Sequence, residues 1–169
     1  MFSKIEYITG DATEPVGDGH KIICHVVNDV GKWGKGFVLA LSDRWPNVRE
    51  DYLKWYDDRD KPMSQPFWGG TVRLVHAEGD SDSSVYVAHM LAQTEIRDWQ
   101  KPDETLLQYN YLTQCLGTVA EYAASIGASI HMPKIGSGLA GGDWNRIEGI
   151  ITEEIVSKYG LSPYVYTLE

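Results

Sequence analysis

Residues 21–27 (KIICHVV) form a short, almost unbroken apolar run, and this run constrains the fold more than any other stretch of the chain. It is far too short to cross a membrane, and polar and apolar residues do not alternate along it. Such a run is typical of a strand inside a sheet that is covered on both faces. The rest of the sequence therefore has to supply helices for both sides of a sheet.

The segments around this run alternate between strand-like and helix-like patterns. The clearest helix is predicted over residues 103–126, where apolar residues recur at helical spacing before Gly127 ends the pattern. Further strands are predicted at residues 3–8, 71–75, 84–89, 129–132 and 164–168, and further helices at residues 37–45, 46–56 and 144–159. This order predicts an α/β fold, a three-layer α/β/α domain with a central mixed sheet. The polar residues 95–103 are expected to be a mobile loop near a site.

Composition narrows the functional classes. The chain has 169 residues, which we expect to form one domain over residues 1–169. Its net charge of −9 argues against a broad electrostatic contact with nucleic acid, which needs lysine and arginine gathered on one face. The sequence has no membrane-spanning run and no secretory pattern at its start, so we expect a cytoplasmic monomer without a membrane partner. Cys24 and Cys115 lie in apolar segments and are expected to be buried, reduced thiols.

Two glycine-rich stretches each follow an apolar run and precede a predicted helix. The first loop is residues 31–37 (GKWGKGF). The second lies within residues 132–144 (MPKIGSGLAGGDW), where four glycines fall within seven positions. At such a strand–loop–helix junction, backbone N–H groups and the helix dipole favour an anionic ligand such as a diphosphate. Close packing of a helix on a strand explains either loop alone equally well, but the presence of both favours one shared ligand site.

Few side chains in the sequence indicate a particular chemistry. His25 lies within the apolar run, where a histidine is either hydrogen-bonded in the core or directed at a ligand. Asp11 and Asp143 each have an ordinary explanation, a turn residue and a helix N-cap, beside a functional one. The histidines lack zinc-site spacing, and the chain has no P-loop, no complete dinucleotide fingerprint and no nucleophile elbow. We therefore expect neither a metal nor a cofactor.

The order of these features resembles that of the macrodomains, α/β/α modules that bind ADP-ribose. The resemblance rests on residues 8–11 (ITGD), residues 25–28 (HVVN) leading into the first glycine loop, and residues 132–139 (MPKIGSGL) before the last helix. One pattern resembles a particular branch of that superfamily: residues 33–36 (WGKG), followed by residues 40–41 (AL) and 44–46 (RWP). This branch contains ADP-ribose-1″-phosphate phosphatase, terminal ADP-ribose protein glycohydrolases and the macro module of a chromatin remodeller. The resemblance covers nearly the whole chain and is more specific for fold and ligand than for the reaction.

The resemblance implies roles for the matching positions. Asp11 would bind the adenine amine, the first glycine loop would surround the distal ribose and a phosphate, and the second would hold the diphosphate. His25 occupies the place of a histidine implicated in the phosphatase type. The expected catalytic residues are His25, Asn28 and Lys35. The expected ligand-binding residues are Asp11, Ala12, Gly31, Trp33, Gly34, Gly36, Phe37, Gln93, Ile135, Gly136, Ser137, Gly138, Leu139, Ala140, Gly141 and Gly142.

The sequence also departs from known hydrolases of the superfamily. The Asn-Ala-Ala-Asn pattern with a triple glycine is absent, and the lysine and acid of the glycohydrolase type are replaced by residues 92–93 (AQ) and 139–141 (LAG). Two functions follow from the resemblance: a hydrolase that removes a 1″-phosphate or an ADP-ribosyl group from a protein or nucleic acid, and a reader that binds ADP-ribose without turnover. A third possibility, a protein-interaction domain, leaves the glycine loops unexplained.

Overall fold

The structure is a computed structural model that describes residues 2–96, 100–101, 104–138 and 140–168. The strands in this part of the chain are β1 (Glu6–Thr9), β2 (Lys21–Asn28), β3 (Val72–Gly79), β4 (Ser84–Gln93), β5 (Ser129–Pro133) and β6 (Tyr164–Thr167). They form one sheet in the order β1-β6-β5-β2-β4-β3. Neighbouring strands are parallel except for the antiparallel pair β3 and β4. The sheet is therefore mixed.

Helices cover both faces of this sheet. They are α1 (Phe37–Arg44), α2 (Pro46–Asp57), α3 (Tyr109–Ile126) and α4 (Trp144–Ile151), and a π-helical turn over Thr152–Ser157 continues α4. Alternate residues of β2, such as Ile22 and Cys24, pack in one apolar cluster with α3 and α4. Ile23 packs on the opposite face against α1 and α2. The predicted three-layer α/β/α fold is confirmed.

The central position of β2 agrees with its apolar sequence. The strand lies between β4 and β5, and all of its residues except Val26 are buried. Because its side chains alternate between the two faces, an apolar residue is required at nearly every position. His25 is the exception that the pattern singled out, and it is only 3% exposed on the α1 and α2 side of the sheet.

The structure corrects the start of the longest helix, which begins at Tyr109 and not at residue 103. Asp103 itself lies outside the described residues, as do residues 97–99 and 102 of the predicted mobile loop. Leu106 and Leu107 are buried in an extended segment, and their N–H groups donate to the Ala140 carbonyl at 2.8 and 3.1 Å. These contacts with the second glycine loop replace the helical hydrogen bonds that the apolar spacing predicted.

Cys24 and Cys115 are buried free thiols, as predicted. Burial raises the pKa of Cys115 to about 12, and burial together with the neighbouring Cys115 raises the pKa of Cys24 even further. Both thiols therefore stay protonated and behave as small apolar side chains. No helix in the described part of the chain is long and apolar enough to cross a membrane.

His131 in β5 is a fully buried histidine that links neighbouring elements. Its Nε2 lies 2.7 Å from Ser129 Oγ, and its Nδ1 lies 2.7 Å from the Tyr166 hydroxyl. The Tyr166 hydroxyl also accepts a hydrogen bond from the Val16 N–H, so the network holds the loop between β1 and β2 against β6. Burial, with a smaller effect from the positive charge of Lys21, lowers the pKa of His131 to about 4.

Folding should therefore become less favourable as the pH falls below about 6.5. His131 takes up a proton near its ordinary pKa of 6.5 in the unfolded chain but stays neutral to about pH 4 in the folded protein. Below pH 6.5 the unfolded state therefore binds more protons than the folded state. The contribution of neutral His131 to the free energy of unfolding is complete above pH 6.5 and falls by up to about 1.4 kcal/mol per pH unit below it. The free energy of unfolding in urea, measured between about pH 7 and pH 5, should depend less on pH in His131→Gln than in the unmodified protein. Equal slopes would contradict this assignment.

Candidate ligand-binding site

A cleft of about 300 Å³ opens where β2, β4 and β5 end, between the two glycine loops. The carboxyl ends of parallel strands are the usual place for a ligand in an α/β sheet. The cleft brings together residues that lie more than a hundred positions apart in the chain. Its walls are formed by His25, Val26, Lys35, Gly36, Phe37, Val38, Gln93, Pro133, Lys134, Ile135, Gly136, Gly138 and Ala140.

The structure separates the predicted site residues into two groups. Both glycine loops contribute to the cleft, as do His25, Lys35 and Gln93. Leu139 lies outside the described residues. Among the described residues, the following predicted positions do not line the cleft: Asp11, Ala12, Asn28, Gly31, Trp33, Gly34, Ser137, Gly141 and Gly142.

Asn28 builds the first glycine loop with its side chain. Its Oδ1 accepts hydrogen bonds from the Val30 and Lys32 N–H groups at 3.1 Å, and its Nδ2 donates to the Lys32 carbonyl at 2.6 Å. The Tyr52 hydroxyl donates to the same Oδ1 at 2.9 Å. Both ends of the amide are thus occupied by the protein. The structure shows that Asn28 shapes the first loop, and the catalytic role that the sequence predicted for it stays a prediction.

Gly31 and Trp33 also shape this loop. Gly31 has φ 72°, and a Cβ there would lie 2.3 Å from the Tyr56 ring, so only glycine fits. The Trp33 indole N–H donates to the Val38 carbonyl at 3.1 Å. Its ring meets His25 edge to face, with 5.5 Å between the ring centroids. These contacts fix the wall of the cleft without placing either residue on its surface.

The second glycine loop uses its glycines in two ways. The Gly142 N–H donates to the Gly136 carbonyl at 2.8 Å, and a Cβ on Gly142 would lie 2.6 Å from that oxygen. The Gly141 N–H donates to the Gly138 carbonyl at 3.0 Å, which closes a tight turn. Gly138 differs from these because a Cβ there would meet no atom within 4 Å. It lines the cleft, so any side chain at this position would extend into the open space of the cleft.

Two lysines give the cleft positive charge in a chain with a net charge of −9. Lys35 comes from the first loop and Lys134 from the residues just before the second. Lys134 Nζ also lies 5.7 Å from the centre of the Trp144 ring, a cation–π contact. Sequence reasoning missed Lys134, although its place directly after the β5 strand was a usable signal. It also missed Val26, Val38 and Pro133.

The comparisons with known proteins decide the family. No protein-family model matches the chain. A solved structure described as a macrodomain protein from Streptomyces coelicolor is 39% identical in sequence, with a TM-score of 0.81, and the match covers 97% of this chain and 99% of that one. The chain belongs to the macrodomain family. The resemblance that the glycine loops suggested is thereby confirmed.

Curated relatives of this macrodomain are more distant. The ADP-ribose 1″-phosphate phosphatase of Lodderomyces elongisporus is 24% identical over 87% of this chain and 90% of its own length. The chromodomain-helicase-DNA-binding protein 1-like of Danio rerio is 28% identical over 96% of this chain. The match spans only 15% of the length of that second relative, so it concerns one part of a much larger protein.

Asp11 of this macrodomain holds a turn after β1. Its Oδ1 accepts hydrogen bonds from the Thr13 N–H and hydroxyl, both at 2.8 Å. Arg44 donates to the Thr13 carbonyl at 2.7 Å, which anchors the turn to α1. Asp143 accepts a hydrogen bond from the Asn145 N–H at 3.0 Å, the N-cap role that its position predicted. Both acids therefore have structural roles, and adenine binding by Asp11 stays a prediction.

His25 is the ionisable group of the cleft that is most altered by its surroundings. Its Nε2 lies 2.7 Å from His89 Nδ1, and its ring contacts Trp33 and Phe37. Burial, with a further contribution from His89, lowers the pKa of His25 well below its ordinary value. The imidazole is therefore neutral at neutral pH. Within the described part of the chain, its buried Nδ1 has no hydrogen-bond partner.

Proposed function

We propose that this macrodomain binds ADP-ribose, or the ADP-ribosyl group of a modified substrate, in the cleft between its two glycine loops. The observation that carries the proposal is the convergence of both loops on one cleft at the carboxyl ends of the strands. Lys35 and Lys134 supply positive charge there, and Gly138 leaves room for a ligand to approach the backbone. The name of the Lodderomyces relative supports the same ligand class.

Calorimetric titration with ADP-ribose tests this binding directly. We expect one molecule to bind per chain, and unmodified AMP to bind more weakly because it lacks the second phosphate and the distal ribose that the two loops would contact. The absence of measurable heat with ADP-ribose, at protein concentrations where the chain remains folded, would overturn the proposal.

We further propose that the macrodomain is a hydrolase that removes a 1″-phosphate or releases ADP-ribose from a modified protein or nucleic acid. A neutral imidazole in the cleft wall supports this activity, because a neutral histidine can accept a proton from water whereas a charged one cannot. The charges of Lys35 and Lys134 would stabilise developing negative charge on a leaving phosphate.

The second candidate is a reader that binds ADP-ribose without changing it. Asn28 does not line the cleft, and its amide holds the first loop through Oδ1 and one Nδ2–H; this observation favours the reader because one of the three expected catalytic groups is engaged in shaping the loop. Incubation with ADP-ribose-1″-phosphate, and separately with ADP-ribosylated protein and nucleic acid, distinguishes the two. Product release from any of these substrates supports the hydrolase. Tight binding of ADP-ribose without product supports the reader.

A further inference from the structure

Polar side chains continue from His25 into the protein, away from the cleft. His25 on β2 lies opposite His89 on β4, and His89 lies opposite Arg73 on β3, so the strand register places the three residues in one row. Asp51 on α2 packs over this row. Its carboxylate receives two hydrogen bonds from the Arg73 guanidinium, at 2.9 and 3.0 Å, and lies 3.5 Å from His89 Nε2.

The charge states along this row follow from its contacts. Burial alone would raise the pKa of Asp51, but the nearby His89 and the hydrogen-bonded Arg73 guanidinium outweigh burial and lower it, so the carboxylate is ionised. Burial lowers the pKa of His89, and it lowers the pKa of His25 further. Asp51 and Arg73 thus form an ion pair beside two neutral imidazoles.

Each neutral imidazole carries a single N–H, and the row determines which nitrogen holds it. A lone pair on His89 Nε2 would face the negative charge of Asp51, so the proton of His89 belongs on Nε2. His89 Nδ1 is then an acceptor. A hydrogen bond between His25 Nε2 and His89 Nδ1, which lie 2.7 Å apart, needs one proton. Because His89 Nδ1 is the acceptor, that proton is on His25 Nε2. His25 Nδ1 is consequently left unprotonated.

We propose that Asp51 and His89 are positioning residues that hold His25, a residue of the cleft wall, as the Nε2–H tautomer, so that its Nδ1 is a hydrogen-bond acceptor. Nδ1 is itself buried and has no hydrogen-bond partner among the described residues, and His89 occupies the other ring nitrogen, so a water molecule or ligand group admitted beside His25 would meet Nδ1. An acceptor attracts a hydroxyl or a water molecule and repels an unprotonated phosphate oxygen. This inference rests on the proposed function. An acceptor on His25 would place a ribose hydroxyl or the attacking water beside His25, and the phosphates towards Lys35, Lys134 and the second glycine loop.

The tautomer can be measured in the free protein, independently of any ligand. In protein labelled with ¹⁵N-histidine, the nitrogen chemical shifts distinguish a protonated from an unprotonated ring nitrogen, and the signals that vanish in His25→Gln identify His25. We expect His25 Nδ1 to be unprotonated and Nε2 protonated at neutral pH. Asp51→Asn should give a mixture of both tautomers, because the charge that fixes His89 is gone. A protonated Nδ1 in the unmodified protein would overturn the proposal.

Asp58→Asn is the matched control for this measurement. Asp58 lies at the end of the same helix and also pairs with cations, Lys54 at 2.7 Å and Lys61 at 2.8 Å, but it is not part of the row. The tautomer of His25 should be unchanged in this variant. A change as large as that in Asp51→Asn would show that any lost carboxylate on the helix has the same effect, which contradicts a specific role for Asp51.

Turnover of ADP-ribose-1″-phosphate provides a second, separate test. His89→Asn keeps an oxygen that can accept the His25 Nε2–H, whereas His89→Leu removes the acceptor. We expect kcat to fall about 100-fold or more in His89→Leu, with KM nearly unchanged, and much of the loss to be restored in His89→Asn. Equal losses in both variants would contradict positioning. If the unmodified protein shows no turnover, the hydrolase proposal fails and the measured tautomer alone decides the role of Asp51 and His89.

Discussion

Gly138→Glu should abolish binding of ADP-ribose while leaving the fold intact. Gly138 lines the cleft, its φ is not in the left-handed region, and a Cβ there meets no protein atom within 4 Å. The glutamate side chain therefore has room to extend, but it places a carboxylate where we propose that the diphosphate binds. Two like charges in contact cost several kcal/mol, which corresponds to a dissociation constant raised by about 100-fold or more. Calorimetric titration of the variant with ADP-ribose measures the change.

Gly149→Glu is the matched control. Gly149 is exposed on α4, also has open space around its Cβ position, and lies outside the cleft. The substitution adds the same charge to a chain that already carries −9, so it separates a local effect from a general electrostatic one. We expect unchanged affinity for Gly149→Glu, and a melting temperature that does not fall in either variant, since glutamate favours a helix more than glycine does. Normal affinity in Gly138→Glu would show that the ligand does not approach the second glycine loop.

Gly136 and Gly142 would be poor choices for the same test. A Cβ on Gly136 would lie 2.8 Å from Leu107, and Gly136 has φ 71°, so a side chain there strains the backbone as well as the packing. A Cβ on Gly142 would collide with the Gly136 carbonyl oxygen. Loss of binding in such variants could follow from a distorted loop. The glycines of this loop are therefore present for two different reasons. Some are required by a tight turn, and Gly138 leaves the cleft wall open, and the sequence alone could not show which glycine serves which purpose.

Much of the fold could be predicted because each element depends on a local pattern. The apolar run of β2 required a sheet covered on both faces, and the period of residues 112–126 required a helix that packs on one side. The start of α3 could not be predicted in this way. Leu106 and Leu107 continue the apolar pattern, but their N–H groups bond to Ala140, which is distant in sequence. Helix propensity judged from neighbouring residues does not report a hydrogen-bond acceptor that lies in a loop distant in sequence.

The site was predictable only where the backbone sets the geometry. Glycines after β2 and β5 indicated the cleft because parallel strands bring their carboxyl ends to one edge. Side-chain roles were less accessible, since Asn28 turned out to hold the loop that it precedes. The link from His25 to Asp51 was invisible in the sequence, because it depends on the register of β2 against β4 and on which residue of α2 packs above them.

His25→Ala should lower turnover far more than it lowers affinity for ADP-ribose. The glycine loops and the lysines would still hold the diphosphate, because the hydrogen bonds that shape the described parts of the two loops do not involve the imidazole. The substitution removes the proton acceptor that we propose for the cleft, and a positioned acid–base group contributes about 10²- to 10⁴-fold to a rate. We expect kcat for ADP-ribose-1″-phosphate to fall by that factor, with the dissociation constant of ADP-ribose changing by less than about tenfold.

His76→Ala is the control for this last prediction, because His76 is an exposed histidine of β3 that lies outside the cleft. It should leave turnover, affinity and melting temperature nearly unchanged. His25 also packs against Trp33 and Phe37, so its removal leaves a small cavity and should lower the melting temperature somewhat. The ratio of the loss in turnover to the loss in affinity distinguishes a catalytic role of His25 from a packing role. If affinity and turnover fall together with the melting temperature, His25 acts through packing alone, and the proton acceptor of the cleft has to be sought in another group.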